Sequence, residues 1–386
     1  MIGRAGGGAA GVERSAPQGA LSRWWWSVDR VALGAVLALI AVGIVLSLAA
    51  SPSAAARRDV PEPFFFLYRH SVFALIGVGV ILAGSALSLR DARRLGVLSL
   101  LGGLALMGIV FLVGHEVNGA QRWLRLPGFS LQPSEFAKAG LVVTSAWLFT
   151  SRREDPNAIG SAPAFLFYGL MIALLILQPD FGQAVLVTAL FGAVFFFAGM
   201  SWGWIAGLGV LAGVGAGFAY ALLPHVQSRV DRFLDPSSGD TYQIDRALEA
   251  IAAGGLFGVG PGEGEVKHRL PDAHTDFVFA VAAEEFGVLF CCGVIALYAV
   301  VVGRGFARAR RLIDPFSQLA GAGLAGLIGL QAVINIAVNL SLAPPKGMTL
   351  PFISYGGSSM LAMCFAAGLM LNFTRRRPGA FRSAQG

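Results

Sequence analysis

The sequence predicts an all-α polytopic membrane protein with about ten transmembrane helices and one large loop outside the bilayer. Of its 386 residues, 55% are hydrophobic and only 13% are charged, about half the charged fraction of a soluble globular protein. The apolar residues fall in runs of about twenty, the length that crosses a bilayer as a helix. Helices are required because each unpaired backbone group in hydrocarbon costs several kcal/mol.

Ten apolar runs define the expected spans, which are numbered in chain order. They cover residues 31–50, 68–88, 95–113, 134–150, 162–178, 181–199, 203–222, 276–302, 316–341 and 355–373. We expect residues 30–375 to form one membrane domain, with a long extracytoplasmic loop at 223–275. Residues 1–29, rich in Gly, Ala and Ser, are expected to be a flexible cytoplasmic tail, and 376–386 a basic cytoplasmic tail.

The orientation follows from the arginines and lysines of the short loops, which are enriched on the cytoplasmic side. An even number of spans puts both termini on one side. That side carries seventeen such residues: Arg4, Arg14, Arg23, Arg30, Arg90, Arg93, Arg94, Arg152, Arg153, Arg304, Arg308, Arg310, Arg311, Arg375, Arg376, Arg377 and Arg382. The opposite short loops carry six: Arg57, Arg58, Arg69, Arg122, Arg125 and Lys346. We therefore predict cytoplasmic termini in the cytoplasmic (inner) membrane, and we interpret the net charge of +7 as a topology signal, with no nucleic-acid partner.

The long outer loop is acidic, and a loop of this length in a compact protein is usually functional or disordered. Its stretch 242–253 has Ile244, Leu248 and Ile251 at helical spacing, which predicts an amphipathic helix lying on the surface. The glycine-rich stretch 254–264 predicts either an ordered turn region or a flexible lid, and simple chain reversal is the alternative.

The segment 274–279 ends this loop and opens the eighth span. A carboxylate at the mouth of an apolar helix is costly to place there, so Asp276 is a functional-site candidate. Capping of the helix is the structural alternative. Burial would raise the pKa of Asp276 and make it a better base, whereas the helix N-terminus would stabilise its anion. The sequence leaves the balance of these two effects open.

Three further polar residues in or beside the spans have structural explanations as well. Lys138 follows Glu135 by three residues, which allows an ion pair within the fourth span. Asp180 lies at a tight outer turn, where it could cap the sixth span. Glu284 lies about 80° around the eighth span from Asp276, so the two do not face one ligand directly.

The ninth span carries a stripe of amide side chains, Gln331, Asn335 and Asn339, at a spacing of four residues. Hydrogen bonds between helices are the simplest explanation of such a stripe. Combined with intramembrane carboxylates, it would also suit a transporter.

Two shorter outer loops add basic residues on the same side as the long loop. The loop 118–136 contains Arg122 and Arg125, and the loop 343–359 contains Lys346 as its one charged residue. Arg and Lys suit a pyrophosphate, and a nearby carboxylate suits removal of a proton from a sugar hydroxyl. For Arg125 alone, anchoring to lipid headgroups is the favoured explanation.

Seven segments carry a family resemblance, in one order along the chain. They are NGAQRWL (118–124), QPSEFAK (132–138), QPDFG (178–182), DTYQ (240–243), GGLFGVG (254–260), LPDAHTDFVFAVAAEE (270–285) and PPKGMTLPFISYGGSS (344–359). The chain resembles the SEDS family (shape, elongation, division and sporulation) of peptidoglycan polymerases. The Lys-Gly pair and the double serine of the last segment are similar to the cell-division branch rather than the elongation branch. Ala247, where the family often has serine, and Gly262-Glu263-Gly264 depart from the pattern.

The resemblance implies a SEDS-type bundle and an inverting glycosyltransferase that polymerises lipid II at the outer face of the membrane, with undecaprenyl pyrophosphate as leaving group. Asp276 matches the family's essential aspartate and is the candidate general base. The candidate substrate contacts are Lys346, Arg122, His274, Glu284, Lys138, Asp180, Ser354 and Ser358. No protein metal site is implied, and assistance by a divalent cation such as Mg²⁺ is left open.

The same resemblance implies partners and a place of action. A polymerase without cross-linking residues needs a transpeptidase, expected here to be a class B penicillin-binding protein, with other divisome membrane proteins at the division septum. Lipid II, undecaprenyl-linked glycan and membrane lipid complete the expected partners.

Two other functions are kept as alternatives. A lipid II flippase is the first, although a flippase needs polar groups along the whole crossing and here they cluster at the outer face. A scaffold without activity is the second, and it is opposed by the concentration of Asp276, Lys346 and Arg122 on one side.

Overall fold

A computed structural model describes residues 19–117, 120–154, 159–199, 202–222, 227–228, 231, 241–344 and 347–377. The described helices are α1 (Ala20–Ser27), α2 (Arg30–Arg57), α3 (Phe65–Ala86), α4 (Leu89–Val113), α5 (Pro133–Glu154), α6 (Ala162–Leu177), α7 (Phe181–Phe197), α8 (Trp202–Leu222), α9 (Tyr242–Gly254), α10 (Val278–Ala309), α11 (Pro315–Asn339) and α12 (Gly357–Phe373). Three short strands, β1 (His115–Val117), β2 (Ala120–Leu126) and β3 (Phe129–Leu131), lie between α4 and α5.

The ten predicted spans coincide with α2 to α8 and α10 to α12, and the all-α membrane fold is confirmed. By length and composition alone, α2, α3, α4, α10 and α11 are able to cross a membrane, while α6, α7 and α12 are shorter apolar helices. In the bundle α4 packs along α5, α12 along α3, and α10 along both α2 and α11. The core is continuous through these contacts.

The short helix α1 lies within residues 1–29, where we expected a flexible tail. Its Trp24 donates a hydrogen bond from Nε1 to Ser85 Oγ at 3.0 Å. Its Ser27 accepts one from Arg375 Nε at 2.9 Å. The expectation of a tail therefore applies only to the residues before α1, which lie outside the described part of the chain.

Helix α10 is broken near its N-terminal end, where one continuous span was expected. Gly287 has φ 83° and ψ 174°, a backbone conformation that glycine tolerates. The break frees carbonyl groups, and the glycine-rich loop supplies their donors: Val259 N–H bonds Glu284 O at 2.9 Å, and Gly260 N–H bonds Glu285 O at 3.1 Å. The stretch 254–264 is therefore an ordered turn region packed on α10.

The amphipathic helix predicted in the long loop is α9, and of the three apolar residues that predicted it Ile244 and Ile251 are half-buried, with Ile251 packed against the core. Leu248 is 40% exposed, whereas Ala247, Ala250 and Gly254 are buried. A Cβ added to Gly254 would lie 1.8 Å from Ala283 O, so α9 approaches α10 too closely for larger side chains. Close approach, and not apolar bulk, decides which face of α9 is buried.

The strands form a small antiparallel sheet in the order β1-β2-β3. The sequence predicts a loop here, because β1 and β3 have only three residues each and the seven residues of β2 (AQRWLRL) do not alternate strictly between polar and apolar. The sheet matters for the site because Arg122 lies in β2, opposite α7.

Glycines allow the tight contact between α4 and α5. A Cβ built on Gly140 of α5 would lie 2.4 Å from Leu100 N and 2.7 Å from Gly96 O, both backbone atoms of α4. Because backbone has no rotamer with which to move aside, this contact fixes the spacing of the two helices.

We expect Gly140→Ala to push α4 and α5 apart and to destabilise the protein by about 1–3 kcal/mol. Gly102→Ala on α4 is the matched control, since nothing lies within 4 Å of the added Cβ and alanine favours a helix. Thermal unfolding of the purified protein in detergent measures both. Equal unfolding midpoints for the two variants would show that the contact does not hold the helices together.

Candidate functional site

Asp276 lies in the turn 271–277, immediately before α10 and outside the helix. The N-cap residue of α10 is Phe277, and no side chain caps this helix end. The helix-capping alternative for Asp276 is therefore not what the structure describes. As a residue Asp276 is half-buried, and a Cβ on Gly347 would lie 3.8 Å from Asp276 Oδ2, so the segment beginning at Gly347 borders the carboxylate.

The main chain at Asp276 is held by amide side chains of α11. Asn335 Nδ2 and Asn339 Nδ2 each donate to Asp276 O at 2.9 Å. Asn335 Nδ2 also donates to Met348 O at 2.6 Å, and Asn339 Oδ1 accepts from Ala280 N at 3.1 Å. Asn335, Asn339, Met348 and Ala280 are buried, and Asp276 is half-buried. A buried carbonyl or amide group without a hydrogen-bond partner would be costly, so these bonds stabilise the turn.

The two residues before Asp276 are held from the other side, by the 347–356 segment. Tyr355 N–H donates to His274 O at 2.9 Å. Ser354 Oγ donates to Thr275 O at 2.5 Å and accepts from Leu350 N at 2.8 Å. Three consecutive carbonyl groups of the turn are thus bonded to other elements, which fixes the direction in which Asp276 projects.

Backbone strain accompanies this arrangement. Asp272 has φ 49° and the buried Phe352 has φ 67°, a region that residues other than glycine seldom adopt. Such strain persists only where the surroundings determine the conformation strongly. Phe352 is next to Pro351, whose carbonyl accepts from the Tyr298 hydroxyl of α10. The 347–356 segment therefore has a strongly determined conformation beside Asp276.

The environment favours the protonated form of Asp276. Burial, and in second place the nearby charge of Asp272, raise the pKa of Asp276 to about 7. Within the described residues no group donates a hydrogen bond to its carboxylate that would lower the pKa again. Burial is the larger of these two causes, and it acts in the direction expected for a desolvated carboxyl group. A carboxyl group with this pKa is suited to act as a general base near neutral pH.

His274 is buried beside this turn. Its ring centre lies 4.7 Å from that of Phe66 and 5.5 Å from that of Tyr355. Burial, followed by the positive charges of Arg58 and Arg57, lowers the pKa of His274 to about 3, so the imidazole is neutral. In the described part of the chain His274 Nε2 has no hydrogen-bond partner.

Lys138 is fully buried in a network between α5, α7 and α11. Its Nζ donates to Glu135 Oε1, Gln183 Oε1 and Gln331 Oε1, each at 2.9 Å. Gln183 Nε2 also donates to Glu135 Oε1 at 2.8 Å. The ion pair proposed from sequence is confirmed. Because the three donors of the ammonium group are all used, Lys138 has a structural role in this arrangement.

Arg122 and Asp180 form a second pair next to this network. Arg122 NH1 lies 3.4 Å from Asp180 Oδ2, to which Gln132 Nε2 also donates at 3.4 Å. Asp180 Oδ1 accepts from Gln183 N at 3.4 Å, so the predicted capping of α7 is confirmed. Burial raises the pKa of Asp180, and the charge of Arg122 opposes that rise.

The amide stripe of α11 joins the network to the turn of Asp276. Gln331, which binds Lys138, also donates from Nε2 to Thr349 O at 3.2 Å. Asn335 and Asn339, one and two turns further on, hold Asp276. The prediction that this stripe makes hydrogen bonds between elements is confirmed.

Glu284 lies apart from this group. Its two carboxylate oxygens accept from Val266 N at 2.7 Å and Lys267 N at 2.9 Å, while Lys267 Nζ pairs with Glu285. These bonds favour a role for Glu284 in holding the loop after α9.

Ser358 is buried at the start of α12, and its hydroxyl has no partner in the described residues. Lys346 lies outside the described residues.

Sequence reasoning missed some residues of the site. Arg58 pairs with Asp272 at 3.4 Å and its guanidinium lies 5.6 Å from the ring centre of Phe66, although Arg58 was counted only as a topology charge. Tyr355 contacts His274 and lay inside a matched segment without being singled out. In the described residues no cluster of three or more His, Cys, Asp or Glu forms a metal site.

The sequence and fold were compared with those of known proteins. The profile of the family described as cell cycle protein, which covers FtsW, RodA and SpoVE, matches residues 30–378. The chain belongs to this family. Membership confirms the resemblance to SEDS proteins drawn from the seven segments.

Individual relatives match over nearly the whole chain. The probable peptidoglycan glycosyltransferase FtsW of Caulobacter vibrioides is 51% identical over 94% of this chain and 93% of its own. The protein of the same name from Geobacter metallireducens is 36% identical over 91% of this chain and 96% of its own.

Solved structures match as well. A chain of a peptidoglycan synthase complex that coordinates polymerization and crosslinking has TM-score 0.74 and 32% identity, covering 91% of this chain and 98% of that one. The rod shape determining protein RodA of Thermus thermophilus has TM-score 0.66 and 31% identity, covering 91% and 97%.

We expect Lys138→Met to destabilise the protein by about 3–5 kcal/mol, because it leaves the buried Glu135 carboxylate without its cation. The double variant Lys138→Met/Glu135→Gln removes both charges and is expected to recover most of the loss. Thermal unfolding of the wild type, both single variants and the double variant forms a double-mutant cycle. Additive effects would contradict a coupled pair.

Asn335→Leu removes the donors to Asp276 O and Met348 O, so the turn 271–277 and the 347–356 segment should open more often. We expect faster amide hydrogen exchange in both stretches, including the Tyr355 amide. Val333→Leu, on the exposed side of α11, is the matched control and should leave exchange unchanged. Unaltered exchange in Asn335→Leu would mean that other contacts suffice to hold the turn.

Proposed function

We propose that this chain is a peptidoglycan glycosyltransferase of the FtsW type that polymerises lipid II. Membership of the family and 51% identity to a protein named as a probable peptidoglycan glycosyltransferase support the proposal. The observation that carries it is the site itself: a carboxyl group with a pKa of about 7, fixed by its neighbours through the main chain and open on one side.

In the proposed reaction Asp276 removes the proton from the 4-hydroxyl of an acceptor sugar as that oxygen attacks the anomeric carbon of a second lipid II molecule. The bond from that carbon to pyrophosphate breaks, configuration inverts, and undecaprenyl pyrophosphate leaves. A base whose pKa lies near the working pH is half ionised there and still accepts a proton effectively. The bonded turn lowers the entropic cost of bringing base and hydroxyl together.

We assign the cationic residues of the outer face to the pyrophosphate. Lys346 precedes Gly347, which borders the Asp276 carboxylate, and Arg122, which pairs with Asp180, has a side chain that is 18% exposed. Guanidinium and ammonium groups stabilise the negative charge that develops on the leaving group. Ser354 and Lys138, whose bonds are used within the protein, act through the scaffold. The proposed step uses only residues of this chain. Assistance of the leaving pyrophosphate by Mg²⁺ stays open.

The chain is an integral membrane protein, and its placement in the cell is part of the proposal. We propose that both termini face the cytoplasm, that the loop 223–275 and Asp276 face outward, and that the enzyme acts at the division septum. The partner we propose is a class B penicillin-binding protein. Similarity to a chain of a synthase complex that couples polymerization and crosslinking supports that choice.

The test is polymerisation of purified lipid II by this chain with its transpeptidase partner, crosslinking being blocked with a β-lactam. We expect long glycan from the wild type and a loss of roughly a hundredfold or more from Asp276→Asn and Asp276→Ala, as for removal of a general base. Glu62→Gln removes an exposed acid before α3 and should retain full activity. Unfolding midpoints and partner binding verify that each variant is folded.

The outcomes separate the alternatives. Normal polymerisation by folded Asp276 variants would show that the base is another residue. If the wild type makes no glycan but moves labelled lipid II across vesicles, the flippase function is correct and the polymerase proposal is wrong.

A further inference from the structure

A cavity of about 170 Å³ lies at the end of the bundle away from Asp276, between the start of α4 and the start of α11. Leu89, Arg90, Arg93, Asp314 and Phe316 line it. It is separate from the candidate active site, since α10 runs the length of the bundle between the turn of Asp276 and the loop before Asp314. Neither the proposed reaction nor the family comparison accounts for it.

The two arginines of this cavity differ from their neighbours at the same end. Arg304 and Arg308 both pair with Asp29, at 2.9 Å and 2.7 Å. Arg90 and Arg93, three residues apart on one face of α4, form no ion pair with any carboxylate in the described part of the chain. Two guanidinium groups that share a cavity and form no ion pair within the described residues are suited to bind an anion.

The one acid of the cavity is already engaged. Asp314 Oδ1 accepts from Phe316 N at 3.2 Å, and Asp314 Oδ2 accepts from Ser317 N at 3.1 Å and Ser317 Oγ at 2.5 Å. These bonds cap α11. The carboxylate keeps its charge, but within the described residues it is held at the start of α11 and forms no ion pair with Arg90 or Arg93.

The other walls are apolar and lead towards the lipid-facing side of α4. Leu89 and Phe316 line the cavity, and the guanidinium of Arg93 lies 5.1 Å from the ring centre of Trp147. From Arg90 the same face of α4 continues to Leu101, which is 44% exposed. A ligand bound here meets cations at one end and an apolar helix surface beyond them.

We propose that this cavity binds the phosphate group of a membrane phospholipid from the leaflet at this end of the bundle. The planar guanidinium groups of Arg90 and Arg93 donate to the phosphate oxygens, and the acyl chains lie along the face of α4 that ends at Leu101. A soluble phosphate would satisfy the arginines but not the apolar surface. Basic pockets between membrane helices are known to select phospholipid headgroups in this way.

The experiment titrates delipidated full-length protein with phosphatidylglycerol and counts bound lipid by native mass spectrometry. We expect Arg90→Gln/Arg93→Gln to weaken binding of the most tightly bound lipid by about tenfold or more. The matched control Arg310→Gln/Arg311→Gln removes two exposed arginines from the same end, outside the cavity and just after α10, and should bind like the wild type. Glycerol phosphate, added as competitor, tests whether the headgroup alone is enough.

Each result decides the proposal. Weaker binding in the cavity variant alone, with little displacement by glycerol phosphate, supports a phospholipid site. Equal losses in both double variants would mean general surface charge, and no loss in either would mean that lipid binds elsewhere. Full displacement by glycerol phosphate at the affinity of the whole lipid would show a site for soluble phosphates. Unfolding midpoints confirm that both double variants are folded.

Discussion

The hydrogen bonds from α11 to the main chain at Asp276 are the interaction on which the rest of the site depends. A carboxylate just before the N-terminus of a membrane helix is flexible unless other elements hold its backbone. Asn335 and Asn339 tie it to α11, and Asn335 ties the 347–356 segment to the same point. Helices α10 and α11 and the 347–356 segment thus meet at one residue, and the direction of its side chain follows from all three.

The same amide stripe explains why charged groups are tolerated deeper in the bundle. Gln331 reaches both Lys138 and Thr349, so the buried ion pair of Lys138 and Glu135 shares a framework with the turn of Asp276. A buried ion pair is a weak source of stability, but it fixes the registry of α5 and α11 through directional bonds. That registry places the 347–356 segment where Gly347 borders the Asp276 carboxylate.

Much of this architecture was predictable from the sequence. The spans follow from the hydrophobic runs, and Asp276, the Lys138 pair and the amide stripe follow from polar residues that membrane helices carry only for a reason. Four features were not predictable. The break at Gly287 and the buried face of α9 depend on approach distances between backbones, and the strand that carries Arg122 does not alternate strictly between polar and apolar residues. The bonds of Tyr355 and Ser354 to the turn depend on contacts between segments that are distant in sequence.

The measurement that tests this account most directly is the pH dependence of the initial rate of glycan polymerisation by the wild type and Asp272→Asn. If Asp276 is the base, its carboxylate must be ionised, so the rate should fall as pH drops through about 7, with a slope of one proton. Asp272→Asn removes a negative charge that raises the pKa of Asp276, so it should move this limb to lower pH. A rate that stays constant down to about pH 5, as expected for an ordinary exposed aspartate, would contradict the account. So would a fall in rate that occurs at the same pH in Asp272→Asn as in the wild type.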